Sequence, residues 1–308
     1  MGATTELALR LGRADADLWR SWLRAVANLP GDPYGADVRC FGDAVALLVH
    51  GVPLAYYNRV LMIGSGDGGL VSEVADFYRS RMTPCRVDVN PYAADATLLE
   101  SLDYEGFRPA AFQSNLFGPA AFVEESPPDS LRVTDVLPGE INFFAHFYDR
   151  AYYDGRRIAA GVREFRAATI RARYGRAGWR FYLCCVDGVP AAGAVLFVND
   201  GVATLAGAAT TPTFRGRGCQ RALLRARLND AAEEGCDLVV SRCGVGSSSQ
   251  HNMERAGLRT GYTKVIWEQR GLADVKRPAD GSGRRGPRAV PEAPARSDEE
   301  KLLPAAVG

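Results

Sequence analysis

Apolar residues recur at helical spacing over 15–29, where Leu18, Trp19, Trp22, Leu23 and Val26 share one face, and the run stops at Pro30-Gly31. Residues 1–12 show no such pattern. Short apolar runs over 38–41, 44–49 and 58–63 predict strands, separated by Gly42-Asp43 and Gly51-Val52-Pro53. A glycine-rich stretch at 64–69 leads into a predicted helix over 70–82. A strand over 85–89, a helix over 95–104 ending at Gly106-Phe107, and a strand over 112–117 follow. Residues 118–130, rich in proline, serine and acid, read as a linker.

The pattern then begins again. A strand over 131–134 precedes helical segments over 139–153 and 158–173. Two hairpin signals come next. Asp187-Gly188 joins strands 179–186 and 189–198, and Asn199-Asp200-Gly201 joins the latter to 202–209. After a loop through Pro212, Phe214 and Arg215, a helix over 220–234 carries Leu223, Leu224 and Leu228 on one side and ends at Gly235. A strand over 237–242, a loop over 244–249, a short helix over 250–256, the turn Gly257-Leu258 and a strand over 262–268 complete the pattern. Both halves close with the same order: strand, glycine loop, helix, strand, helix, Gly-apolar turn, strand. This is an internal repeat of about 150 residues.

At 308 residues the chain has room for two ordinary cores, and 47% hydrophobic with 24% charged residues is a globular composition. A net charge of +1 makes no electrostatic case for nucleic acid, which is not expected as a partner. No apolar run is long enough to cross a bilayer, and the N-terminus lacks a signal-peptide pattern, so no membrane partner and a cytoplasmic location are expected. Seven cysteines without a C-x-x-C pair speak against both a disulfide framework and a metal site.

Two glycine loops sit between a strand and a helix. The first, Gly64-Ser65-Gly66-Asp67-Gly68-Gly69, matches G-x-G-x-x-G, with Asp88 near the end of the next strand. Asp67 puts negative charge where a pyrophosphate would lie, and no further β-α units follow, so a dinucleotide site is not expected there. The second, Arg215-Gly216-Arg217-Gly218, opens the helix over 220–234. Main-chain N–H groups, the helix dipole and the missing Cβ atoms make such a junction an anion site. It is too short for a Walker A box, and no Lys-Ser or Lys-Thr follows.

Arg215-Gly216-Arg217-Gly218-Cys219-Gln220, led in by Pro212 and Phe214, resembles the pyrophosphate loop Q/R-x-x-G-x-G/A of the GNAT superfamily of acyl-CoA-dependent acyltransferases. Gln220 stands where that pattern usually has a small residue. The resemblance covers roughly residues 5–270 and implies an α/β (α+β) chain of two tandem GNAT folds. Each would have a mixed, mainly antiparallel central sheet flanked by helices. Residues 1–125 would form a degenerate GNAT-like domain, marked by Tyr57-Asn58-Arg59-Val60 ahead of its glycine loop, that helps shape the acceptor pocket. Residues 126–270 would form the catalytic domain. Residues 271–308, rich in Pro, Gly, Arg and Glu, are predicted to be a disordered tail.

The implied activity is transfer of an acetyl or other short acyl group to the amine of a small molecule or amino acid. Acetyl-CoA or another acyl-CoA would be the co-substrate, with no metal, in a monomer or homodimer. In such an enzyme, backbone N–H groups around Gly207, Ala208 and Ala209 polarise the thioester carbonyl. The diphosphate lies over Arg215, Gly216, Arg217, Gly218, Cys219 and Gln220. Ser249 would cap the short helix over 250–256, and Asn252 on it would bond the pantetheine. Met253 stands where a tyrosine often protonates the leaving thiolate. His146, Tyr153 and Tyr262 are the remaining candidates for proton transfer, and each also fits ordinary packing. The arginine-rich segment 163–176 reads as a solvated helix face. Two other readings keep the fold: a transferase that takes aminoacyl-tRNA or a carrier-protein thioester as donor, and a non-catalytic acyl-CoA sensor.

Overall fold

The computed structural model describes residues 4–52, 54–124, 127–153 and 158–269; the tail predicted over 271–308 lies outside them. The chain opens with helix α1 (Thr5–Ala27), a full three turns before the apolar periodicity begins. Thr4 caps it by accepting from the Leu7 N–H, and its early buried positions are Ala8, Leu11 and Ala14, mostly too small to register as an apolar stripe. Strands β1 (Ala36–Phe41), β2 (Ala44–Val49) and β3 (Arg59–Leu61) follow, then α2 (Leu70–Arg79), β4 (Arg86–Val89), α3 (Ala96–Tyr104) and β5 (Phe107–Gly118). The second half contributes β6 (Leu131–Asp135), α4 (Ile141–Tyr153), α5 (Ala160–Arg173), β7 (Trp179–Val186), β8 (Val189–Asn199) and β9 (Val202–Thr210). It ends with α6 (Cys219–Glu233), β10 (Leu238–Gly244), α7 (Ser248–Arg255) and β11 (Arg259–Gln269).

All eleven strands form one mixed, mainly antiparallel sheet in the order β1-β2-β3-β4-β11-β5-β10-β9-β8-β7-β6. The two halves meet by exchanging their last strands. β5 lies antiparallel between β10 and β11, and β11 lies antiparallel between β4 and β5. Strand pairing therefore ties the halves together, and each completes the other's ladder.

Alternation along each strand divides the core. Phe181, Leu183, Val195 and Phe197 join α1, α4 and α5 in a cluster that includes residues of both halves. Tyr182, Cys184, Ala194 and Leu196 point the other way, onto α6. Ala46, Leu48 and Val60 pack on α2 and α3. α1 packs against β8, β9 and α5 as well as its own β1 and β2, and so roofs the second half.

Under α1 lies a buried charge network. Lys264 Nζ on β11 reaches Asp15 Oδ2 of α1 at 2.7 Å and Asp88 Oδ2 of β4 at 2.8 Å. Arg59 Nη1 approaches Asp88 at 3.3 Å, and Arg242 pairs with Asp15. Burial alone would raise the Asp88 pKa, but Lys264, Arg86 and Arg242 hold its carboxyl below the ordinary range. A depressed carboxylate stabilises the fold above its unfolded pKa of about 4, and that contribution is lost as pH falls through the lower folded value. Asp88→Asn is therefore expected to cost roughly 3–5 kcal/mol, since it strands buried cations. Calorimetry at neutral pH should show a Tm loss that shrinks when both proteins are compared at acid pH, where the wild-type group protonates too.

Candidate active site

β9 and β10 are parallel neighbours only where Leu238, Val239 and Val240 pair with Val202, Ala203 and Thr204. Beyond that point β9 keeps to β8 while β10 keeps to β5. The two parallel strands thus splay, opening a V at their carboxyl ends. On the β9 arm the register shifts between Ala194/Ala208 and Leu196/Leu205, leaving Ala206 and Gly207 opposite Val195 alone. This is a β-bulge, and it resets the alternation. Leu205 and Ala208 pack toward α6, whereas Ala206 and Ala209 pack with the α4 and α5 cluster. Gly207 has φ +128, and a Cβ there would stand 2.5 Å from Tyr148 Oη. Arg227 of α6 pins the bulge from the other side. Its Nη1 donates to the Gly207 carbonyl at 3.3 Å and the Val195 carbonyl at 3.4 Å, and its Nε to the Leu223 carbonyl at 3.1 Å.

The chain then passes a single 3₁₀ turn at Pro212–Phe214 and enters the loop before α6. Gly216 and Gly218 take the left-handed conformation at φ +77 and +84, bracketing Arg217. This alternation turns successive N–H groups toward one concavity. Among the described residues, no acceptor meets the main-chain N–H of Gly216, Arg217, Gly218, Cys219 or Gln220. The first turn of α6 carries no acidic side chain. Cys219 is buried, and burial pushes its thiol pKa up, so it is an inert packing residue.

The first half repeats the geometry with its amides occupied. β3 and β4 are parallel neighbours only at Arg59/Arg86 and Val60/Val87 before they diverge. In the loop that follows β3, the Gly64 N–H donates to Asp67 Oδ2 at 2.9 Å. Asp95 Oδ2 accepts from the Gly66 N–H at 3.1 Å and from the Ser65 hydroxyl at 2.8 Å. Asp95 also caps α3 through the Leu98 N–H, the leading reason its carboxyl stays below the ordinary carboxylate range. Two carboxylates thus occupy the Gly64 and Gly66 amides and put negative charge in the loop, and the adjoining cavity of about 680 Å³ is lined by Asp15, Asp17, Asp43, Asp67 and Asp88 against Arg13, Arg20 and Lys264. The G-x-G-x-x-G match is a capped turn.

A smaller cavity of about 80 Å³ adjoins the β9 bulge, between α1, α4, α5 and strands β8–β10. Trp19, Trp22, Tyr56, Tyr57, Tyr148 and Tyr152 form its aromatic walls, and Arg166, Arg173, Arg242 and Ala206 complete it. Tyr148 stands at both the bulge and the cavity. Burial raises its pKa, countered in part by Arg166, Arg173 and Arg227, so the hydroxyl keeps its proton at neutral pH.

The three proton-transfer candidates end up in different places. His146 is exposed on α4, two residues from both Phe144 and Tyr148 and so on the opposite side of the helix from the cavity. Tyr153 is buried with Arg166 4.5 Å over its ring, outside the cavity lining, and burial raises its pKa far above the ordinary phenol value. Tyr262 lies on the exchanged strand β11 and lines the cavity of the first half beside Tyr92, so it does not share a site with the β9 bulge. Ser247, not Ser249, caps α7 by accepting from the Gln250 N–H at 3.2 Å; the helix starts at Ser248, and Ser249 is inside its first turn. Asn252 follows in the same helix, with its Oδ1 bonded to Arg255. Arg166 and Arg173 correct the reading of 163–176 as a solvated face. Arg166 pairs with Asp149 at 2.6 Å at a mostly buried site, and Arg173 is buried with its guanidinium 4.6 Å over the Trp179 ring.

Residues 141–258 match the family model described as the acetyltransferase (GNAT) family. A GCN5-related N-acetyltransferase from Kribbella flavida superposes with TM-score 0.60 at 17% identity, covering 85% of this chain and 98% of that one. A tandem GNAT protein from the clavulanic acid biosynthesis pathway gives TM-score 0.55 at 16% identity, covering 82% and 95%. A GCN5-related N-acetyltransferase from Sphaerobacter thermophilus gives 0.52 at 16% identity, covering 73% and 80%. At these identities the likeness is one of fold. No curated protein sequence matches significantly.

Proposed function

We propose, on the premise that residues 141–258 are a domain of the GNAT acetyltransferase family, that the protein transfers an acetyl or other short acyl group from acyl-CoA to the amine of a small molecule or amino acid. The observation that carries this reading is the row of amides over 216–220, at the positive end of α6 and facing an open V between β9 and β10, that meet no acceptor among the described residues. In this reading the diphosphate lies on those amides, with the helix dipole adding partial positive charge. The pantetheine arm enters the V and brings the thioester to the Gly207 bulge. A main-chain N–H there polarises the carbonyl, and the acceptor approaches from the aromatic cavity on the α4 and α5 face.

Transfer requires an uncharged amine and a proton for the departing thiolate. Tyr148, protonated and placed at the bulge, is the donor we assign to the sulfur, and the proton that the amine nitrogen gives up on becoming an amide restores the Tyr148 hydroxyl. An ammonium entering beside Arg166, Arg173 and Arg242 is disfavoured by like charge, so the cavity itself shifts the acceptor toward its neutral, nucleophilic form. The first half serves as a roof through α1, and its own loop stays closed by Asp67 and Asp95.

The test is release of free thiol from acetyl-CoA in the presence of a panel of small amines and amino acids. Release that depends on the added amine is the expected result. Binding of acetyl-CoA without amine-dependent release would make the protein a sensor, and absence of any acyl-CoA binding would remove the reading altogether.

A further inference from the structure

The charges around the aromatic cavity do not balance. Arg166 has Asp149, and Arg242 shares Asp15 with Lys264. Arg173 has no carboxylate among the described residues. Its Nε donates to the Thr169 carbonyl at 2.8 Å, its guanidinium stacks on Trp179, and no acceptor meets its terminal nitrogens among the described residues. Behind the cavity Arg59, paired with Asp88, lies 4.0 Å over the Trp19 ring. A buried cation without a counter-ion is costly, and at Arg173 desolvation pushes the guanidinium down to about 9, so it remains charged at neutral pH. Arg227 is likewise buried without a carboxylate among the described residues, but carbonyls take its donors, whereas Arg173 leaves its terminal nitrogens to the cavity it lines, where an anionic ligand would meet them.

We infer that the acceptor carries a carboxylate and that Arg173 is the residue that receives it in the cavity beside Gly207. This rests on the acyltransferase reading for the word acceptor, though the anion site itself does not. A carboxylate meets a guanidinium through two parallel N–H···O bonds, which suits the terminal nitrogens of Arg173. The cavity is small, about 80 Å³, and its indole and phenol walls suit the apolar body of a small amino acid. The amine would then sit toward the Gly207 bulge, with the carboxylate held by Arg173 on α5.

The wild-type protein, free of acyl-CoA, is titrated with the common L-amino acids, each paired with its carboxamide and its decarboxylated amine. Trp19 and Trp22 line the cavity, so tryptophan fluorescence reports occupancy. At least one acid is expected to bind about tenfold or more tighter than its amide, as a charge-assisted pair supplies. Arg173→Gln removes that preference and leaves the amide and acetyl-CoA affinities unchanged, while Arg173→Lys retains part of it. The inference is overturned if no acid outbinds its amide, or if the preference survives in Arg173→Gln. Acetyl-CoA binding is measured separately. Its failure with the acid preference intact removes the transferase reading and leaves the carboxylate site standing.

Discussion

Gln220→Asp is expected to weaken acetyl-CoA binding on the order of 100-fold while leaving the fold as stable as before or slightly more so. The residue is the second of α6, partly exposed, and the helix has no acid in its first turn. An aspartate there improves the interaction with the helix dipole by about 0.3–1 kcal/mol. It also sets a negative charge within a few ångströms of the proposed diphosphate, a repulsion of roughly 3 kcal/mol at the effective dielectric of a protein surface. Opposite signs for stability and binding separate this outcome from simple unfolding. Gln220→Asn, which lacks the charge, should bind nearly as the wild type does. Isothermal titration and a melting curve on the same preparation provide both readings, and equal affinity for Gln220→Asp would show that the diphosphate is elsewhere. The first half is the natural counterpart of this variant, since Asp67 and Asp95 already cap its loop amides.

Gly207→Val acts on the reacting end. Its φ of +128 belongs to backbone that only glycine adopts freely, and its Cβ would fall 2.5 Å from Tyr148 Oη. The branched side chain must flatten the bulge or drive Tyr148 into the cavity, at a cost of about 1–3 kcal/mol in stability. Displacing the amide proposed to polarise the carbonyl by an ångström is expected to lower kcat about 100-fold or more. The loop over 216–220 is untouched, so the acetyl-CoA dissociation constant should change by no more than about threefold, well under the 1.4 kcal/mol of a tenfold effect. A kcat that survives the substitution would mean that the bulge does not polarise the thioester.

Much of this architecture is written locally and so is readable from the chain. Asp187-Gly188 and Asn199-Asp200-Gly201 mark hairpins because both turns need positive φ, which all of Asp187, Gly188, Asp200 and Gly201 adopt. The 215–220 loop is legible for the same reason: Gly216 and Gly218 do what only glycine does cheaply. What stayed hidden depends on partners distant in sequence. The exchange of β5 and β11 is a pairing choice between strands of equal suitability, and it carries Tyr262 into the first half's cavity. The cavity beside the bulge takes walls from α1, the segment before β3, α4, α5 and three strands, so no single stretch announces it. Arg166 and Arg173 look like surface residues by type, and only the packing of α5 between α1 and α4 buries them. The spacing carries a hint: around the helix Arg166 and Arg173 fall in the arc between Phe165 and Ile170, both of which are buried.

One half of this double fold is expected to grip a diphosphate with main-chain amides that meet no acceptor among the described residues, while in the other half Asp67 and Asp95 hold the Gly64 and Gly66 amides of the corresponding loop. Hydrogen–deuterium exchange with and without saturating acetyl-CoA reads both sets in one experiment. Strong added protection over 216–222, with the amides over 64–71 unchanged, is the predicted result; protection over 64–71 with none over 216–222 would contradict it.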